Sequence, residues 1–197
     1  MTGATAARPA LLARVRELLA MKEAPRGMAV QLVAIDGHGG GGKSTLAELL
    51  ARELGAETVH TDDFASWEEP VDWWPRLVEA VLEPLAAGAQ QLDYPRSSWW
   101  PDHRPDAVVA QPVTPVMLIE GVTALRSEFR PYLTLGIWVE TPVDICLARG
   151  IARDTGQGAP EEIEARWRAW LAAEDAYIAR DDPQAAADLV VDGTRAL

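Results

Sequence analysis

The stretch AVQLVAIDGHGGGGKSTLAELLAREL, residues 29–54, decides the fold. Residues 29–35 form a short apolar run bounded by turn residues, the pattern of a strand buried on both faces. A glycine-rich turn fills 37–42, and 43–54 then reads as a helix. Within this unit GHGGGGKS, residues 37–44, fits G-x-x-x-x-G-K-[ST]. The requirement behind that pattern is physical. A polyphosphate must lie against several backbone N–H groups at once, and side chains there would hold it away. The helix that starts near Lys43 turns its positive end toward the same anion. Gly37, Gly39, Gly40, Gly41, Gly42, Lys43, Ser44 and Thr45 are therefore expected to hold nucleotide phosphates. Lys43 would serve as a mobile cation for the β and γ oxygens, and the Ser44 hydroxyl would ligate Mg²⁺. ATP and Mg²⁺ are the expected ligands. Lysine occurs only at 22 and 43, against sixteen arginines, so a lysine at this spacing is not a by-product of composition. His38, inside the loop, reads as a tolerated variable position.

Outward from this unit, Leu11, Leu12, Val15, Leu18 and Leu19 fall at helical spacing and predict a helix over 9–23, ended by Pro25 and Gly27. Residues 57–60 predict a second strand. A helix is expected over 73–87, with Leu77, Val81, Leu82 and Leu85 on one side and Gly88 as its stop. LDYPRSSWWPDHRPD, residues 92–106, reads as a long loop whose aromatic content argues for function. VMLIE (116–120) and LGIWVE (135–140) are further buried strands. Helices follow over 143–153 and 161–179, broken by GQGAP at 156–160, and a last strand covers 187–192. Apolar strands separated by helices mean a parallel sheet covered on both sides. The expected fold is a three-layer α/β/α domain over 1–197, with a five-stranded parallel sheet. Residues 28–64 would be its nucleotide-binding core, 65–112 an acceptor-binding segment and 146–162 a helical lid.

The formal net charge of −12 argues against a nucleic-acid polymer as partner, because such a protein needs a basic face. The single cysteine, Cys146, excludes an internal disulfide and reads as a packed small group. No signal-like segment opens the sequence and no apolar run is long enough for a membrane, so a cytoplasmic location is expected. A small-molecule acceptor is the expected partner, and a homodimer is compatible with the sequence.

Phosphoryl transfer needs an acceptor oxygen in line, a metal, and charge to neutralise the moving group. Parallel sheets place active sites at the C-terminal ends of their strands, where Asp62, Asp63 and Glu120 fall. Asp62 is the candidate to orient the acceptor hydroxyl; capping of the next helix is the bland alternative for the Asp pair. Asp63 suits that alternative better and could also touch the metal through water, while Glu120 would hold the Mg²⁺ hydration shell. Arg149 and Arg153, four apart on one helix face, are candidates to bring positive charge over the γ-phosphate. Trp67, Trp73, Trp74, Trp99 and Trp100 cluster between the second and third strands of the expected sheet. They either fill the core or stack a flat ligand, with Asp72, Asp93, Tyr94 and Arg104 supplying polar contacts.

Five pieces, IDGHGGGGKST (35–45), HTDDF (60–64), LDYP (92–95), MLIEGVTAL (117–125) and CLARGIARD (146–154), resemble the uridine kinase-like branch of P-loop kinases, whose relatives include nicotinamide riboside and pantothenate kinases. The resemblance implies that Asp62 is the catalytic Asp and Glu120 the strand-end Glu. It implies that Asp93 and Tyr94 belong to a nucleoside-contacting segment, that Asp72 contacts a sugar, and that Arg149 and Arg153 are lid arginines. Gly150 stands where the family carries another lid arginine, TGQG follows where a charged stretch is usual, and Leu92 stands where a tyrosine precedes the Asp. The implied activity is transfer of the ATP γ-phosphate to a hydroxyl of a nucleoside or a compound like one. The rivals are a kinase for a sugar, vitamin or antibiotic, a nucleoside-monophosphate kinase, and a nucleotide-binding regulatory module. A switch GTPase is disfavoured because no N-K-x-D motif is present.

Overall fold

The computed structural model describes residues 3–66, 69–96 and 107–195. Its centre is a five-stranded parallel sheet made of β1 (Gln31–Gly37), β2 (Glu57–His60), β5 (Val116–Glu120), β6 (Leu135–Glu140) and β7 (Leu189–Asp192), in the order β2-β5-β1-β6-β7. β1 lies in the middle, with Ile35 opposite Glu120 on one side and Ile137 on the other. The carboxyl ends of these strands therefore gather Gly37, His60 and Glu120 at one edge, which is where the phosphate loop departs.

Alternation along buried strands divides the core in two. Val33 and Ile35 face α1 (Gly3–Met21) and α2 (Lys43–Leu54), packing with Leu12, Val15, Leu46 and Leu50. Leu32 and Ala34 face the other way, onto Trp73, Leu77, Leu82, Tyr94, Phe129 and Trp167. The expected three layers and five parallel strands are both present. α1 starts six residues ahead of the expected position and carries Pro9 inside it.

The excursion between β2 and β5 differs most from expectation. Its helix runs through α3 (Trp74–Leu77), a π-helical turn (Val78–Leu82) and α4 (Glu83–Ala86), ending at Gly88 with φ +85°. The stretch expected to be a loop from residue 92 instead opens in β3 (Gln91–Pro95), which pairs antiparallel with β4 (Val108–Pro112). The sequence contains the cause. Gln91, Asp93 and Pro95 are exposed while Leu92 and Tyr94 are buried, a period of two that makes a half-buried strand. Proline stands at the end of each strand, where the ladder tolerates a missing N–H.

This excursion is tied down by Arg126, a buried arginine whose Nη1 donates to the Val71 carbonyl at 2.7 Å and whose Nε meets Glu128 at 3.0 Å. Its guanidinium also lies 5.1 Å over the Trp74 ring. Beyond β6 come α5 (Val143–Asp154), α6 (Pro160–Asp181) and the short α7 (Pro183–Ala186). Among the described residues no helix is long and apolar enough to cross a membrane.

Candidate active site

The phosphate loop joins β1 to α2 as bare main chain. Gly40 has φ +78°, and a Cβ there would overlap the Cys146 carbonyl, so only glycine fits. Asp36, the last residue before the loop, is fully buried and accepts from four donors. These are the N–H groups of Gly37 (2.7 Å), Thr123 (3.1 Å) and Leu125 (2.7 Å), and the Tyr177 hydroxyl (2.6 Å). Burial pushes its carboxyl up to about 6 against these donors. Asp36 thereby fixes the start of the loop to the turn after β5 and to α6.

Lys43 is buried, and its Nζ donates to the His38 carbonyl at 2.9 Å. Ser44 Oγ donates to Glu120 Oε1 at 3.1 Å, and His60 Nδ1 meets Glu120 Oε2 at 2.9 Å. Burial raises the Glu120 pKa, but the hydrogen bond from His60 and the Lys43 charge outweigh it, and the carboxyl stays below its ordinary value. The same hydrogen bond lifts the His60 imidazole above its usual range. A hydroxyl beside a firmly ionised carboxylate is a hard-oxygen pair of the kind Mg²⁺ takes when substrate phosphates supply the rest. Ser44 and Glu120 fit the ion, and the glycine cradle fits the phosphates.

Asp62 is exposed at the end of β2, although protein crowds its carboxyl. That crowding and the Glu120 charge hold its pKa above the ordinary aspartate value, against the opposing pull of Lys43, Arg153 and His60. Asp62, Glu120, Lys43 and Arg153 thus share one electrostatic neighbourhood.

Asp63 is placed differently from the expected metal contact. Its Oδ1 pairs with Arg96 at 2.7 Å and its Oδ2 accepts from the Tyr94 hydroxyl at 3.3 Å, so it fastens the β3 ribbon to the end of β2. Tyr94 is correspondingly buried, stacked on Phe64 with ring centroids 4.9 Å apart, and does not line an open acceptor site. Asp93 projects from the opposite face of the ribbon and bonds Gln91. Strand alternation forbids adjacent residues from contacting one ligand on the same face, so the expected Asp93–Tyr94 pair is divided. Asp72 is exposed and lies within electrostatic reach of Arg180, near the end of α6. Trp73 fills the core beside Phe129, while Trp67, Trp99, Trp100 and Arg104 lie outside the described residues.

Arg149 and Arg153 differ in their contacts. Arg149 Nη1 donates to the Gly193 carbonyl at 3.0 Å, where β7 ends next to the phosphate loop. Arg153 lies 5.2 Å over the Trp167 ring, bonds Asp154 at 3.0 Å, and its charge reaches Asp62. Trp167 also explains Gly150. A Cβ at 150 would sit 2.5 Å from the indole, so α5 and α6 meet only with glycine there. Gly150→Ala is expected to lower stability by about 1–3 kcal/mol, the usual cost of overpacking, as a drop in thermal midpoint. Cys146 is buried, and burial pushes its thiol up to about 11, as suits a packed group.

Three positions that contact the loop or Glu120 were not singled out from the sequence: Asp36, His60 and Glu174. Glu174 is 1% exposed and accepts from Gly39 N at 2.9 Å, from His38 Nδ1 at 2.8 Å and from the Trp170 indole. Its signal was the stripe Trp167, Trp170, Glu174, Tyr177, Asp181, a carboxylate on the buried face of α6.

Known proteins are similar to this chain in sequence and in fold. The uridine kinases of Tolumonas auensis and Klebsiella pneumoniae are each 28% identical to the chain, over 145 and 149 residues. These matches cover 62% and 64% of this chain and 67% and 69% of theirs. The chain resembles the uridine kinase-like P-loop kinases. Among solved structures, a candidate fructose transport system kinase from Silicibacter sp. TM1040 matches at TM-score 0.62 and 27% identity, covering 91% of this chain and 98% of that one. A candidate uridine kinase from Bacillus stearothermophilus shares the fold, at TM-score 0.58 and 23% identity over 91% of this chain and 100% of its own. No protein-family model matches.

Proposed function

We propose that this chain is an ATP-dependent kinase that transfers the γ-phosphate to a hydroxyl of a small molecule, with a nucleoside as first choice of acceptor. The observation that carries this reading is the single neighbourhood of Asp62, Glu120, Lys43 and Arg153 beside the glycine cradle. Asp62 orients the acceptor hydroxyl and accepts its proton as the oxygen attacks phosphorus in line. Lys43 leaves the His38 carbonyl to meet the β and γ oxygens, and Arg153 swings from Trp167 onto the charge that spreads over the transferred group. Bound Mg²⁺, held by the Ser44 hydroxyl and through water by Glu120, would neutralise and align the β and γ oxygens.

A phosphate-bearing acceptor would need free cations in the excursion. Arg96 is taken by Asp63, and Arg76 by the Phe64 carbonyl and Glu69. Among the described residues of the excursion, which leave out Arg104, this favours an uncharged acceptor. The nucleoside choice leans on the uridine kinases among the relatives. A sugar or another non-nucleoside alcohol is the second reading, favoured by the divided Asp93–Tyr94 pair and by the nearly full-length match to the Silicibacter protein. An acceptor panel of nucleosides and hexoses, read by coupled ADP release, tests both. Uridine or cytidine is expected to exceed every hexose. Uridine turnover at background alongside turnover of a hexose would transfer the assignment to the second reading. ATP binding without turnover on any acceptor would leave a regulatory module.

A further inference from the structure

We propose that Glu174 is a positioning residue of the phosphate loop, holding the His38–Gly39 peptide so that the loop's remaining N–H groups stay turned toward the nucleotide and Lys43 has a fixed resting acceptor beside it. This inference rests on the nucleotide-binding reading and adds to it a residue more than a hundred positions from the motif.

The geometry is specific. A carboxylate taken out of water is costly unless its oxygens are filled, and Glu174 fills them mainly from the loop. Gly39 gives its backbone N–H to Oε1 at 2.9 Å, and His38 gives Nδ1 to Oε2 at 2.8 Å. The Trp170 indole N–H, one helical turn earlier, meets Oε1 from the same helix and orients the carboxylate. The loop has no space to slide, since a Cβ added at Gly39 would stand 3.0 Å from both Glu174 Oε1 and the Trp167 ring. The His38 carbonyl is also the acceptor of Lys43 Nζ, so one peptide is gripped by α6 on one side and by the transfer lysine on the other.

Charge follows the same wiring. His38 faces Glu174 and Asp175 on α6, Lys43 on α2 and the edge of Trp138 on β6. Glu174 in turn faces Cys146 on α5. The hydrogen bond from Glu174 lifts the imidazole pKa above its ordinary value, against burial. Protonated, His38 cancels the Glu174 charge beneath the loop. Once His38 is neutral, a buried negative charge is left under the phosphates.

Binding of a non-hydrolysable ATP analogue with Mg²⁺, followed by calorimetry, tests the proposal without needing an acceptor. The wild-type chain, Glu174→Ala and Glu174→Gln are compared, each first shown folded by circular dichroism. Glu174→Ala is expected to weaken binding about tenfold or more, because the Gly39 N–H and the indole lose their acceptor. Glu174→Gln, whose amide oxygen can still accept from both, is expected to recover to within about threefold of wild type at neutral pH. Raising the pH through the elevated His38 pKa should weaken wild-type binding by about three- to tenfold, from the uncompensated charge. Glu174→Gln should lack that fall.

Wild-type affinity in folded Glu174→Ala overturns the inference. Should that variant not fold, an unchanged alkaline fall in Glu174→Gln overturns it instead. Either result leaves the nucleotide site intact, whereas failure of the wild type to bind the analogue overturns both readings.

Discussion

Replacing Lys43 with Ala is expected to lower kcat by roughly 10³–10⁵-fold, the range for a cation that neutralises a transferring phosphoryl group. The residue is buried at the foot of the loop, and no second lysine lies near it, since Lys22 is engaged with Asp188 far along the chain. The effect should fall mainly on kcat, because the charge met by Nζ grows as the bond to the leaving oxygen breaks. Steady-state kinetics with the best acceptor from the panel, beside analogue binding, separates the two. A Lys43→Ala protein with kcat within tenfold of wild type would remove this lysine from transfer.

Asp62→Asn is the second large effect, expected at about 10²–10⁴-fold in kcat, as for loss of a positioned general base. Nucleotide affinity should stay near wild type, because the phosphates are held by the loop. The acid limb of the wild-type pH profile has a defined sign. Asp62 must be ionised to receive the proton, and crowding by protein together with Glu120 raises its pKa. Activity should therefore fall as the pH drops through that raised value, sooner than an ordinary aspartate would allow. Full activity in Asp62→Asn, or an acid limb unmoved by it, would reassign the base.

The parallel sheet was legible because strands covered on both faces are uninterrupted apolar runs, and VMLIE and LGIWVE are read correctly to the residue. The phosphate loop was legible for a different reason: its function forbids side chains. The β3–β4 ribbon was not, since its alternation covers only five residues within a Pro- and Trp-rich stretch, and its partner strand lies beyond a long connection. That single omission accounts for the misplacement of Tyr94 and Asp63. Without the ribbon, nothing shows that successive residues face opposite ways, or that Arg96 reaches back to the end of β2. Glu174 escaped because one acid on a helix with many solvated charges carries no local mark; only its spacing from Trp167, Trp170 and Tyr177 sets it on the inner stripe. His60 and Asp36 act through partners brought together by sheet register, which linear spacing cannot supply.

The excursion from residue 61 to 115 leaves the sheet from β2, an edge strand, and comes back on β5, the strand directly beside it. Among the described residues, the buried apolar side chains it contributes enter the core on the Trp73 side and none enters the layer beneath α1 and α2. Sequence drift in the excursion therefore meets the layer it shares with Trp167 and Trp170 of α6, and leaves the packing under α1 and α2 untouched.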